Sequence, residues 1–108
     1  MKNASIFVDV DLTLVDSNKN LLPGAVEALA KLRDKGCHLI LWSTNGAEYA
    51  RKIAGLYRLT DLFEGFAPKP DIIIDDMPGT VLNPFVFDVN AEDSWTALAD
   101  KIIRKHVD

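Results

Sequence analysis

Apolar residues in this chain gather into short unbroken runs, each closed by an acid or a hydroxyl. Stretches of helical period lie between them. The first run is Ile6-Phe7-Val8, followed at once by Asp9-Val10-Asp11-Leu12-Thr13. The second is Leu39-Ile40-Leu41-Trp42, closed by Ser43-Thr44-Asn45, and the third is Ile72-Ile73-Ile74, closed by Asp75-Asp76. A run that is apolar at every position reads as a strand covered on both faces, as central parallel strands are. The first strand is expected over residues 5–10.

Helices are expected between these runs. Pro23 fits a first helical turn, Val26, Leu29 and Ala30 recur at helical spacing with Leu32 beside them, and Gly36 ends the helix. Asn45 is placed to cap a second helix over 46–57, with Ala50, Ile53, Ala54 and Tyr57 inward. A short segment from Leu62 to Phe66 leads to Pro68-Lys69-Pro70, whose prolines hold Lys69 in extended or turn backbone. Met77-Pro78-Gly79 is expected to turn the chain, and Phe85-Val86-Phe87 to form a further strand. Ser94 or Asp93 caps a last helix that turns Leu98, Ile102 and Ile103 inward. The turn-rich stretch Ser17-Asn18-Lys19-Asn20 suits the tip of a small hairpin or flap, with Lys19 in reach of a substrate.

The alternation βαβαβ(β)α predicts the α/β class, with a mostly parallel sheet flanked by helices. Right-handed crossovers place the C-terminal ends of such strands on one rim. Asp9, Asp11, Ser43, Asp75 and Asp76 all lie at predicted strand ends, and Lys69 lies in a loop that can reach over them. That rim is where open α/β sheets bind ligands.

Bulk properties narrow the picture. The chain has 108 residues, is 48% hydrophobic and carries a net charge of −4. One domain over 1–108 is expected, with no basic face to indicate nucleic acid. The single cysteine, Cys37, excludes an internal disulfide framework and fits a reducing, cytoplasmic setting. The N-terminus lacks the apolar stretch of a signal peptide, and no run approaches the roughly 18 apolar residues that would span a membrane.

Two acids separated by one residue repel unless a cation sits nearby or one is protonated. Together with a second acid pair, a hydroxyl and a lysine, they suit phosphate chemistry. Asp9 can attack phosphorus, and Asp11 in a regular strand shares its face. Asp75 and Asp76 add hard oxygen ligands of the kind magnesium prefers, while Ser43 and Lys69 can hold phosphoryl oxygens. Backbone N–H groups of Val10, Leu12 and the residues after Ser43 can add donors. Each feature has a plainer reading: Ser43 as a turn or cap hydroxyl, Lys69 as a solvated lysine, Asp75-Asp76 as a turn. Asn45 reads as a helix cap before a substrate contact, and Trp42 and Trp95 read as packing residues. His38 and His106 show no metal-ligand spacing.

The ordered set resembles the haloacid dehalogenase superfamily, and specifically its phosphatases. Its first motif corresponds to Asp9 through Thr13, its second to Leu39 through Ser43, its third to Lys69-Pro70 and its fourth to Ile72 through Asp76. The resemblance implies a three-layer Rossmann-like fold with a bound Mg²⁺. It implies Asp9 as nucleophile, Asp11 as general acid and then base, and Thr13 as a support for the loop and for Asp11. Ser43 and Lys69 would bind the transferred phosphoryl group, with Thr44 and Asn45 beside them. Asp9, the Asp11 carbonyl and the Asp75-Asp76 pair would hold the metal, Asp76 directly and Asp75 through water. An aspartate at position 11 marks phosphatases and phosphotransferases rather than dehalogenases or phosphonatases. Only 25 residues separate Ser43 from Lys69, so no inserted cap domain is expected. The substrate is then an unidentified phosphate ester, and a second subunit could cover the open site. Two alternatives remain: a non-enzymatic phosphoryl-accepting or regulatory module, and a subunit whose site needs a partner. In response-regulator receivers the lysine follows the acids and hydroxyl, whereas Lys69 precedes the last acid pair.

Overall fold

A computed structural model describes residues 3–76 and 87–108. Three strands, β1 (Ser5–Asp9), β2 (His38–Ser43) and β3 (Gly65–Pro68), form a parallel sheet in the order β1-β2-β3. Helix α1 (Ala25–Asp34) joins the first two strands, and α2 (Ala47–Leu56) with a 3-10 turn at Thr60–Leu62 joins the second pair. Helix α3 (Trp95–Ile102) packs on α1 and runs into a π-helical turn over Ile103–Val107. The α/β class and the parallel sheet flanked by helices are as the sequence predicts.

Pairing fixes which side chains share a face. Val8 lies opposite Leu41, Asp9 opposite Trp42, and Ser43 opposite Pro68. Strand side chains alternate, so Val8, Leu39, Leu41 and Ser43 occupy one face, while Phe7, Asp9, Ile40 and Trp42 occupy the other. The first set is buried and the second is intermediate or exposed. The core therefore sits on the first face, where Leu39 and Leu41 meet Leu14, Val15, Leu29 and Leu32.

Local chemistry sets the helix ends. Ser94 caps α3 by accepting from the Ala97 N–H at 3.1 Å, the first of the two expected alternatives. Helix α1 ends at Asp34, with Gly36 at φ +94° where other residues would be strained. Asn45 does not cap α2. Gly46 takes that position at φ 101°, a backbone that asparagine adopts poorly, and so Asn45 is released toward the site.

Two further expectations need correction. The short segment expected from Leu62 to Phe66 runs into a strand, β3. The stretch read as the third buried strand, Ile72–Ile74, is in no strand, and Ile72 and Ile74 are 83% and 96% exposed. An apolar β-branched run has the propensity for a strand, but a strand exists only with a paired neighbour and covered faces. Among the described residues β1 pairs with β2 alone, and nothing covers Ile72–Ile74. The expected turn at 77–79 and the Phe85 and Val86 positions lie outside the described residues. Phe87 packs against the core. No helix among the described residues is long and apolar enough to cross a membrane.

Leu41 is fully buried at the centre of β2, whereas Leu56 is 67% exposed. Leu41→Ala is expected to destabilise the fold by about 2–5 kcal/mol, and Leu56→Ala by less than about 0.5 kcal/mol, as read by urea unfolding.

Candidate active site

The three strand ends and the loop after β1 build one rim. Beyond Asp9 the backbone winds tightly. The Val10 carbonyl accepts from the N–H groups of Thr13, Leu14 and Val15 at 3.4, 3.0 and 3.1 Å. This places Leu12 at φ 60° with its side chain 63% exposed. A leucine in the left-handed region costs on the order of 1–2 kcal/mol, so the surrounding contacts must hold it there. One of them comes from α3: the Trp95 indole N–H donates to the Thr13 carbonyl at 3.0 Å. The acceptor is the Thr13 backbone, not its hydroxyl.

Lys69 reaches the rim through the ladder. Its N–H donates to the Ser43 carbonyl at 3.0 Å, continuing the β2–β3 pairing past Pro68. Its ammonium then lies 3.3 Å from Asp9 Oδ1 and 5.9 Å from the centre of the Trp42 ring. Asp9 and Lys69 are thus brought together. Asp9 Oδ1 also accepts from the Val10 N–H at 3.0 Å, so that expected phosphate donor is engaged by the nucleophile candidate instead. Ser43 is the buried polar residue of the strand ends, 2% exposed, and its Oγ accepts from the Asn45 N–H at 3.0 Å. The Ser43 side chain is on the covered face of the sheet, opposite to that of Asp9, so these two expected site residues do not share a face. Thr44 is exposed beside it.

Asp11 has a denser set of partners. Its Oδ1 accepts from the Lys19 ammonium at 2.6 Å and from the Tyr49 hydroxyl at 2.7 Å, and its Oδ2 accepts from Asn45 Nδ2 at 3.2 Å. Partial burial pushes the Asp11 carboxyl up, but the bonds from Lys19, Tyr49 and Asn45 outweigh it and hold it below the ordinary carboxylate value. The same contacts raise the Lys19 ammonium, chiefly through its bond to Asp11, with Tyr49 adding to it. Lys19 sits on the predicted flap, where Val15 bridges Leu21 in antiparallel fashion. The flap is fastened to the body by the Tyr57 hydroxyl, which donates to the Lys19 carbonyl.

Tyr49 and Tyr57 are the site residues that sequence reasoning missed. Tyr57 packs against the core, as its expected place on the inner face of α2 implies, and also reaches the flap. No signal marks the pairing of Tyr49 with Asn45 at Asp11, because Asn45 lies before the N-cap Gly46 and so outside the helical spacing that would link it to Tyr49.

Asp75 and Asp76 lie beyond the last described strand. Both are exposed and follow the unpaired Ile72–Ile74. Among the described residues no three His, Cys, Asp or Glu side chains gather in a way that could hold a metal ion. The expected meeting of these acids with Asp9 and Asp11 is therefore not found. The expected third strand that would have carried them is not formed by Ile72–Ile74.

Residues 6–66 match the family of haloacid dehalogenase-like hydrolases. The match covers more than half of the chain, and the chain belongs to that family. It spans Asp9, Asp11, Lys19, Ser43, Asn45 and Tyr49 and stops before Lys69 and the second acid pair. Neither the curated proteins nor the solved structures contain a match.

Tyr57→Phe is expected to free the flap without touching the core. The amides of Lys19 and Asn20 should then exchange with deuterium several-fold faster, while those of β2 keep their protection.

Proposed function

We propose that this haloacid dehalogenase-like hydrolase is a capless, magnesium-dependent phosphomonoesterase working through an aspartyl-phosphate on Asp9. The observation that carries the reading is the Lys69 ammonium 3.3 Å from the Asp9 carboxylate, beside a second, separately held carboxylate on Asp11. A carboxylate nucleophile, a cation on its oxygen and a second carboxyl in reach are what in-line phosphoryl transfer requires.

In the first half-reaction an Asp9 oxygen attacks phosphorus, and the bond from phosphorus to the ester oxygen breaks. Asp11, ionised at rest by its donors, takes up a proton from solvent as substrate displaces a donor and gives it to the departing alkoxide. In the second half-reaction Asp11 takes a proton from water, whose oxygen attacks the aspartyl-phosphate. Inorganic phosphate leaves and Asp9 is restored. Lys69, already against Asp9, stabilises the negative charge of the transferring oxygens. Asn45 and Tyr49 keep the Asp11 carboxyl aimed over the rim.

Magnesium belongs to the proposal through the chemistry of the donors. When bound, it would neutralise charge on the phosphoryl oxygens. Asp9, the Asp11 carbonyl, Asp76 and, through water, Asp75 are the hard ligands available. For these to meet, Ile72–Ile74 would have to leave water and add to the unpaired side of β1. That addition would bury the three exposed isoleucines and bring Asp75 and Asp76 level with Asp9.

Phosphate release from p-nitrophenyl phosphate tests the reading. Asp9→Asn is expected to abolish turnover, and Lys69→Ala to lower kcat by about a hundredfold or more. Chelation with EDTA is expected to stop the reaction and added Mg²⁺ to restore it. Unchanged turnover in Asp9→Asn would refute the nucleophile assignment, and EDTA-insensitive turnover would refute the metal.

A further inference from the structure

Lys19 is held with more care than a surface lysine needs. Its backbone lies at φ 66°, in the left-handed region that favours glycine or asparagine. The turn beneath it is fastened at several points. Asp16 Oδ1 accepts from the N–H groups of Asn18 and Asn20 at 2.8 and 3.0 Å. The Lys19 N–H donates to the Asp16 carbonyl at 3.0 Å, and the Lys19 carbonyl accepts from Tyr57. From this fixed base the side chain runs past the Tyr49 ring, 5.6 Å from its centre, to Asp11. The backbone is pinned, yet the side chain remains 49% exposed and can exchange its partner.

Asp11 Oδ1 already accepts from both Lys19 and Tyr49. A leaving-group oxygen that comes to Oδ1 must displace one of these two donors. Tyr49 is fixed on α2, whereas Lys19 has a flexible stem and open solvent around it. Lys19 is therefore the donor that gives way. Among the described residues, Lys69 and Lys19 are the cations within ion-pair distance of Asp9 and Asp11 respectively. Lys69 sits on the phosphoryl side, beside Asp9. Lys19 sits on the side where the alcohol departs.

We propose that Lys19 is a specificity-determining residue that selects phosphomonoesters whose leaving group carries its own anion, a carboxylate or a second phosphate near the ester oxygen. The proposal rests on the phosphomonoesterase reading above. Such an anion takes the ammonium from Asp11, so the displaced cation keeps a partner and Asp11 is opened to the ester oxygen. A neutral leaving group must move Lys19 into water with nothing to receive it. The net charge of −4 sharpens the selection, because an anionic leaving group without this cation would meet an acidic surface.

Three esters of one two-carbon alcohol skeleton test this: 2-hydroxyethyl phosphate, phosphoglycolate and ethylene glycol bisphosphate. Phosphate release is measured for each with Mg²⁺ present. One charge-assisted hydrogen bond predicts kcat/KM at least about tenfold higher for a charged ester than for the neutral one, mainly through KM. Comparison of the carboxylate with the bisphosphate shows which anion is preferred. Lys19→Asn, which suits the left-handed backbone, and Lys19→Gln are each expected to bring the ratio close to one, and Lys19→Arg to preserve most of it. A ratio near one in the native chain, or a ratio that both substitutions leave intact, overturns the proposal. Failure to hydrolyse all three esters and p-nitrophenyl phosphate would instead overturn the phosphomonoesterase reading, and this proposal with it.

Discussion

Parallel, in-register pairing of β1 with β2 is the constraint on which the rest of the molecule depends. It sets Asp9 level with Trp42 and one residue short of Ser43. Alternation then puts Asp9 on the half-open face and Ser43 on the covered one. A slip of one residue would turn every β1 side chain to the opposite face. Asp9 would then point its carboxylate into the layer that holds Leu39 and Leu41, where an unpaired charge is costly, and Val8 would face water. The register that buries the apolar residues is therefore the same register that presents the acid. The covered face selects the pairing, and the chemistry follows from it.

The ion pairs of the rim are not what keeps the protein folded. Lys69–Asp9 and Lys19–Asp11 are partly exposed, and pairs in that setting contribute little to stability. Their value lies in position. Stability comes from the apolar layer of Leu14, Leu29, Leu32, Leu39 and Leu41, each almost fully buried. That layer also holds the loop after β1 in its tight winding, because Leu14 and Val15 are anchored in it while Leu12, between them and β1, is forced outward. The backbone strain at Leu12 and Lys19 falls on either side of this anchored pair, next to Asp11 in both cases. Strain of this kind persists where surrounding contacts over-determine the backbone, which is a common property of functional loops.

Much of this was legible in the residues. Ile6 to Asp9 and Leu39 to Ser43 announce strands, although only one face of each is covered: Phe7 is 50% exposed and Ile40 and Trp42 are half-buried. Gly36 and Ser94 mark helix ends through local chemistry alone. The flap was visible in its turn residues. The role of Asn45 was not, since it turned on whether Asn45 or Gly46 would take the cap, and a single glycine backbone decided the matter. Tyr49 was not legible either, because an isolated tyrosine on a helix carries no mark of which neighbouring strand end it will face. The short strand Gly65–Pro68 was hidden by its composition of glycine, alanine and proline. It is a strand because β2 offers an edge beside it, not because its residues prefer that state.

The sequence by itself determined the class of the fold, the strands that carry Asp9 and Ser43, and the oxygen and ammonium chemistry at their ends. These follow from short-range patterns of apolar burial and from which residues can follow a buried run. Only the tertiary structure decided which of those groups meet. It brought Lys69 to Asp9 through the β2–β3 ladder, and it gathered Lys19, Tyr49 and Asn45 on Asp11 from the flap and the start of α2. It also left Ile72–Ile74, with the acids behind them, in water. Proximity between distant segments depends on pairing and covering partners elsewhere in the chain. A local run of residues can state its preference for burial, but it cannot supply the neighbour that provides it.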